Sequence, residues 1–222
     1  MSESPTASRT ASPTASPAKR SGSEDSPVPL KKAKPNHAHV IYVLDRSGSM
    51  NQFGEEGYTS IQNTIKELPE QRGEDCRISI FAFDHEYKQI ANNALAKEYT
   101  LPEDAIKPRG MTALRDALRE AIEFAGTAEG EKFMVVFTDG QDNSSKTSPE
   151  QIKNMLRALD NVDISWLAAA EADMSTAEYI GIDAKDVMKV GCTGDNMTQA
   201  MRSSSCKTPL GFTQAQRQSS VR

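Results

Sequence analysis

Between residues 37 and 205 the chain alternates short, unbroken apolar runs with longer stretches whose apolar residues recur every three or four positions. Val40-Ile41-Tyr42-Val43-Leu44 is such a run, β-branched and aromatic, and it predicts a strand over 39–44 that is buried on both faces. Tyr58, Ile61, Ile65 and Leu68 then share one face of a helix that Pro69 and Gly73 close. A second strand follows at Arg77–Phe83, with Asp84-His85 as its turn. Residues 92–109 are weakly periodic, contain Pro102 and Pro108, and read as a long connection. Met111–Ala125 is helical, with Leu114, Ala117, Leu118, Ala121, Ile122 and Ala125 as its buried stripe. Lys132–Thr138 reads as a central buried strand, Val162–Ala168 and Val187–Val190 as two more. Ser148-Pro149-Glu150-Gln151 has the chemistry of a helix start, and Thr176–Ile182 and Asp195–Ser204 give the last two helices. Strands alternating with helices define an α/β fold: a doubly wound, mostly parallel sheet with helices on both faces. Trp166 and the methionines fall in apolar patterns and belong to the core.

The flanks lack this periodicity. Residues 1–36 are Ser, Thr, Pro and Ala with scattered cations, and Ser-Pro-Thr-Ala-Ser occurs at Ser4 and again at Ser12. Such a segment cannot bury enough apolar surface to offset its chain entropy, so disorder is expected. Residues 206–222 read as a second, polar tail, which leaves 37–205 as the folded domain.

Charge is unevenly shared. Arg9, Lys19, Arg20, Lys31, Lys32 and Lys34 outnumber Glu3, Glu24 and Asp25 by three, so residues 37–222 carry −8 of a chain whose formal charge is −5. An acidic body argues against nucleic-acid binding by the folded domain, because phosphate contacts need clustered cations. Lys19-Arg20 and Lys31-Lys32-Ala33-Lys34 resemble a bipartite nuclear localisation signal, two cation clusters for the acidic grooves of an import receptor. Nuclear, or nuclear and cytoplasmic, residence is the expectation. Ser4, Ser12, Ser16 and Ser26 each precede proline and suit proline-directed phosphorylation. Cys76, Cys192 and Cys206 have no metal-ligand spacing and read as inert thiols in a reducing compartment. No apolar run has the length of a membrane span and no secretory signal is apparent, so neither a membrane nor secretion is expected.

Where the first strand ends, Asp45, Ser47 and Ser49 place three small oxygen-bearing side chains at alternate positions, with Gly48 between them. A hard oxygen cluster at the carboxyl end of a strand suits a hard cation such as Mg²⁺. This stretch closely resembles the Asp-x-Ser-x-Ser signature of von Willebrand factor type A domains. Gly110-Met111-Thr112-Ala113-Leu114 is similar to the same family's Gly-x-Thr-x-Leu segment, and Phe133 to Gly140 to its fourth strand, which ends in Asp139. The resemblance covers residues 38 to about 205. It implies a six-stranded Rossmann-like sheet with Tyr87–Ala91 as a short antiparallel edge strand. It also implies a metal-ion-dependent adhesion site in which Asp45, Ser47, Ser49, Thr112 and Asp139 bind Mg²⁺ or Mn²⁺, with a position left for a Glu or Asp of a protein partner. Arg46, beside this motif, reads equally as a guide for the incoming acid or as a solvated neighbour. Asp116 reads as solvated or as orienting a site group.

Three functional readings follow. The leading one is a non-enzymatic, metal-dependent protein-interaction module. A metal-dependent phosphohydrolase is the second, with Asp45 as nucleophile; such enzymes want a second Asp two residues on and a nearby Lys. Here the second position is Ser47, and no lysine follows Asp139 until Lys146. In the third the basic tail carries the activity and the domain is its scaffold. His37 and His39 form a His-x-His pair without a third ligand close in sequence, which favours core or solvent roles over metal.

Overall fold

The apolar run at residues 40–44 lies within β1 (Ala38–Asp45), and all eight positions of that strand are buried. It sits inside a six-stranded sheet with β2 (Arg77–Phe83), β3 (Tyr87–Leu95), β4 (Glu131–Thr138), β5 (Val162–Ala169) and β6 (Val187–Val190). The order is β3-β2-β1-β4-β5-β6, and every pairing is parallel except β2–β3. This computed structural model describes residues 37–169, 172 and 174–221. The Ser/Pro-rich segment, its basic clusters and the disorder expected of it lie outside the described residues.

The described residues form six α-helices, the first five from the periodic stretches: α1 (Gly54–Arg72), α2 (Leu114–Thr127), α3 (Pro149–Ala158), α4 (Ser175–Ile180), α5 (Gly194–Ser205) and α6 (Gln214–Ser219). α1 packs on α5, and α2, α3 and α4 pack in series. The predicted α2 stripe from Leu114 to Ala125 is wholly buried. Leu114, Leu118 and Ile122, so removed from water, are each worth about 1.5–3 kcal/mol. Below it, Phe124 meets Phe81 and His39 edge-on, both at 5.5 Å between ring centroids. From β1 the chain moves outward to β2 and β3, then crosses back to begin β4 on the other side of β1. The strand order therefore reverses between β1 and β4, which opens a crevice beyond their carboxyl ends.

The elements differ from expectation in instructive places. α1 starts at Gly54, with Glu55 and Glu56 favourably placed in its first turn, and it runs through Pro69 to Arg72. Pro69 forfeits only its own bond to the preceding turn; the Gly73 N–H donates to the Pro69 carbonyl at 3.0 Å and closes the helix. β3 is nine residues long rather than five, because Ser79 Oγ accepts the Asn93 N–H at 2.9 Å and Arg77 donates to the Asn93 carbonyl at 3.1 Å. Asn93 takes φ 49, a left-handed geometry that Asn tolerates. The expectation of inert cysteines meets one buried thiol, Cys76, and two exposed ones, Cys192 and Cys206.

The polar tail expected at 206–222 is instead, over its described residues, part of the domain. Lys207 is buried and ion-paired to Asp163 at 2.5 Å and Asp186 at 2.6 Å. Phe212 is buried as well, and Thr213 with Gln216 forms a capping box that starts α6. Arg217 donates to the carbonyls of Val187, Ala184 and Lys185, and the Ser220 hydroxyl donates to the Lys189 carbonyl at 2.8 Å. These side chains satisfy the outer edge of β6, where no further strand pairs among the described residues. None of the described helices is long and apolar enough to cross a membrane.

Candidate metal centre

Asp45 ends β1 at the crevice and is 3% exposed. Its carboxylate is held from both sides: Ser47 N–H donates to Oδ1 at 2.8 Å and the Thr138 hydroxyl donates to Oδ2 at 2.7 Å. Thr138 Oγ1 in turn accepts the Gly140 N–H at 3.0 Å, so the end of β4 is fastened to the end of β1. Burial pushes the Asp45 carboxyl up to about 6 against these hydrogen bonds, and the neighbouring Asp139 adds to the rise. Neither aspartate has a cationic side chain within ion-pair distance among the described residues.

The hydroxyls come from the same loops. Ser47 Oγ and Ser49 Oγ lie 3.1 Å apart, the first buried and the second exposed. The loop carrying them is zipped to the one before α2: Gly48 N–H donates to the Gly110 carbonyl at 3.2 Å and Arg109 N–H to the Arg46 carbonyl at 2.8 Å. Gly110 has φ 66, and a Cβ there would lie 2.3 Å from His85 Nδ1, so a larger residue would be strained and would have to displace the His85 ring. Thr112, buried two residues on, donates its N–H to Asn143 Oδ1 at 2.9 Å and accepts the amides of Asn143 and Ser144, both at 3.1 Å. Asp139 is buried and folds its Oδ1 back onto the Gln141 N–H at 3.1 Å. All five residues singled out from sequence thus lie on three loops tied to one another at one sheet edge. Their donors are oxygen only, and the buried carboxylate without a counter-charge is what a hard divalent cation would satisfy.

Much of what holds these loops was not read from the sequence. Asp84 ends β2 with its side chain fully buried, and its Oδ2 lies 3.0 Å from Arg46 Nε and 2.5 Å from Arg109 Nε. The Arg46 contact is ionic without hydrogen-bond geometry. Burial raises the Asp84 carboxyl, but the Glu86 amide, Arg109 and Arg46 outweigh it and hold the group below its ordinary range. Arg46 is therefore neither guide nor solvated neighbour: it is buried and joins two loops through Asp84. Asp116 orients rather than floats, accepting the Thr147 N–H at 2.8 Å, the Thr147 hydroxyl at 2.6 Å and the Lys146 N–H at 3.0 Å. Asp142 does the same for the start of α2, accepting the Arg115 N–H at 2.9 Å. A charged residue closing an apolar run on the same sheet edge as Asp45 was the available signal for Asp84. Asp84, His85 and Glu86 bring potential ligand atoms within 4.8 Å of one another, but the Asp84 carboxylate is already committed to two guanidinium groups. His39, at the opposite strand end, pairs through Nε2 with Ser79 Oγ at 3.0 Å and is a core residue.

A sequence model of the von Willebrand factor type A domain matches residues 39–202, and the chain belongs to that family. Domains of this family generally mediate protein–protein interaction, some of them through a metal site. Solved structures share the fold. Proximal thread matrix protein 1 from the mussel byssus, with a zinc-occupied MIDAS motif, superposes with a TM-score of 0.60 at 22% identity. That match covers 77% of this chain and 45% of the mussel protein, so this chain spans under half of its length. The vWF domain of the type V pili tip protein Mfa5 from Porphyromonas gingivalis gives 0.59 at 14% identity, over 77% of this chain and 94% of that one. The PilB minor pilin from Streptococcus sanguinis gives 0.61 at 14% identity, over 85% and 63%. No curated protein sequence matches.

Proposed function

We propose that this domain is a non-enzymatic protein-interaction module that works through a divalent cation, Mg²⁺ or Mn²⁺, in a nuclear or nuclear and cytoplasmic protein. Asp45, Ser47, Ser49, Thr112 and Asp139 would hold the ion, which supplies a positive charge able to take a carboxylate oxygen from a Glu or Asp of a partner. The observation that carries this reading is Asp45 itself, a carboxylate buried at the switch point of the sheet, fixed by Ser47 and Thr138 and, among the described residues, without a cationic side chain in ion-pair reach. Three of the five donors are neutral hydroxyls, so the two carboxylates alone set the charge of the site and leave it receptive to a further acid. Thr138 and Asn143 keep the donors in place before any partner arrives, which limits the ordering cost of binding. Met111, 55% exposed beside Thr112, offers an apolar contact on the rim.

Isothermal calorimetry with Mn²⁺ tests this reading. The wild type is expected to bind one ion and Asp45→Ala none, with both proteins folded by circular dichroism. Equal binding by the two would remove the metal from the proposal.

A further inference from the structure

At the opposite pole of the sheet, a cleft of about 940 Å³ opens at the amino ends of β4 and β5. An eight-residue strand separates it from the metal loops, roughly 23 Å at the usual rise per residue. Phe133, Ile164 and Ile182 give the cleft an apolar floor, and Leu156 of α3 overhangs it. Four cations line it, Arg72 from the end of α1, Lys132 from β4 with its ammonium on the Ala125 carbonyl at 2.9 Å, and Lys153 and Arg157 from α3, against two acids at its rim, Glu131 and Asp183. None of the four has a carboxylate partner among the described residues, whereas Lys207 and Lys185 in the same cleft are neutralised by Asp163 and Asp186. Arg72 lies over the Phe133 ring at 3.5 Å, and its buried Nε makes no hydrogen bond. Counting Glu131 and Asp183, the cleft keeps an excess of two cations over an apolar surface, in a chain of formal charge −5.

We infer that this cleft docks an acidic, amphipathic peptide segment of a protein partner, independently of the metal. Its cations come from three elements, α1, β4 and α3, around a cleft of about 940 Å³, which suits carboxylates spread along a peptide better than a single small anion. The apolar floor between them takes the intervening Leu or Phe side chains. The chain's own residues 1–36, in which cations outnumber acids, do not have that chemistry. The domain would then hold two partners at once, one at each end of its sheet.

The test uses the ¹⁵N-labelled full chain in excess chelator, titrated with a panel of synthetic 12-residue peptides that alternate Asp or Glu with Leu or Phe. Saturable binding is expected, with amide shifts concentrated at Lys132, Asn161, Ile164 and Gly181. Affinity should fall at least tenfold when Gln and Asn replace the peptide's acids. It should fall equally in Lys153→Glu/Arg157→Glu, two changes at unpaired surface side chains that leave Mn²⁺ binding intact. The inference is overturned if no peptide in the panel saturates, if shifts centre on Gly48 and Gly110, or if the double variant binds as the wild type does. It is also overturned if the cleft instead drives concentration-dependent dimerisation that the double variant abolishes.

Discussion

Thr112 and Asn143 grip each other reciprocally: the Thr112 N–H donates to Asn143 Oδ1 at 2.9 Å, and the Asn143 N–H donates to the Thr112 carbonyl at 3.1 Å. A candidate ligand from the loop before α2 is thereby fastened to the loop after β4, which carries Asp139. Removing the Asn143 side chain leaves a buried amide unpaired, at about 1–3 kcal/mol. Asn143→Ala is expected to weaken Mn²⁺ binding by roughly tenfold, the factor that about 1.4 kcal/mol represents. Calorimetry checks the affinity, and the far-ultraviolet circular dichroism should not change.

Asp45 carries a charge in a buried place. Its folded pKa of about 6 lies above the ordinary carboxylate value of 3.8, so the folded state favours the protonated form. In the absence of metal that contribution to stability is complete below pH 3.8 and is lost as the pH rises through 6. At pH 7.5 with chelator, Asp45→Asn should therefore be more stable than the wild type, by at most about 3 kcal/mol. With Mn²⁺ in excess the order should reverse, because only the wild type gains from ligand linkage. Urea melts with and without Mn²⁺ measure both halves.

His39 gives the opposite dependence. Burial chiefly, with the charge of His37 adding to it, lowers its pKa from 6.5 to about 4. The unfolded chain binds the extra proton first, so stability present above pH 6.5 is lost as the pH falls towards 4. The loss should approach about 3 kcal/mol. His39→Gln, which keeps a donor for Ser79, should flatten the profile between pH 4.5 and 7, as read from urea midpoints.

The nuclear residence proposed above rests on residues outside the described structure. With a bulky fluorescent tag to prevent passive entry, replacing Lys31, Lys32 and Lys34 by Ala should move the protein to the cytosol. Retention in the nucleus would make the segment a linker.

What the sequence disclosed about this fold was what is local. Val40–Leu44 states its own burial, and Asp45, Ser47 and Ser49 announce a site because they sit within one turn of each other. Thr112 and Asp139 were reachable through resemblance to a family pattern, since each lies at a recognisable offset from an apolar run. Arg46 and Asn143 were not, because their partners lie dozens of residues away; Asp84 closes an apolar run, but nothing local to it names the two arginines it holds. The same holds for Lys207 and Arg217: a polar segment reads as solvated when its polar groups answer to the backbone of a distant strand. The Thr213–Gln216 capping box and Phe212 were the local hints that the chain is still folded there.

That last segment changes what counts as the unit of this domain. The family match ends at residue 202, yet Arg217 and Ser220 occupy the carbonyls along the free side of β6. A recombinant fragment cut at Ser205 would keep every candidate metal ligand and all six strands, and would present an unpaired strand edge to solvent. Such an edge is a template for another chain, so the shortened fragment is expected to self-associate in sedimentation where the full chain stays dispersed. On that expectation, protection from polymerisation would reside in the sixteen residues from Cys206 to Val221, a segment that reads at first sight as a solvated tail.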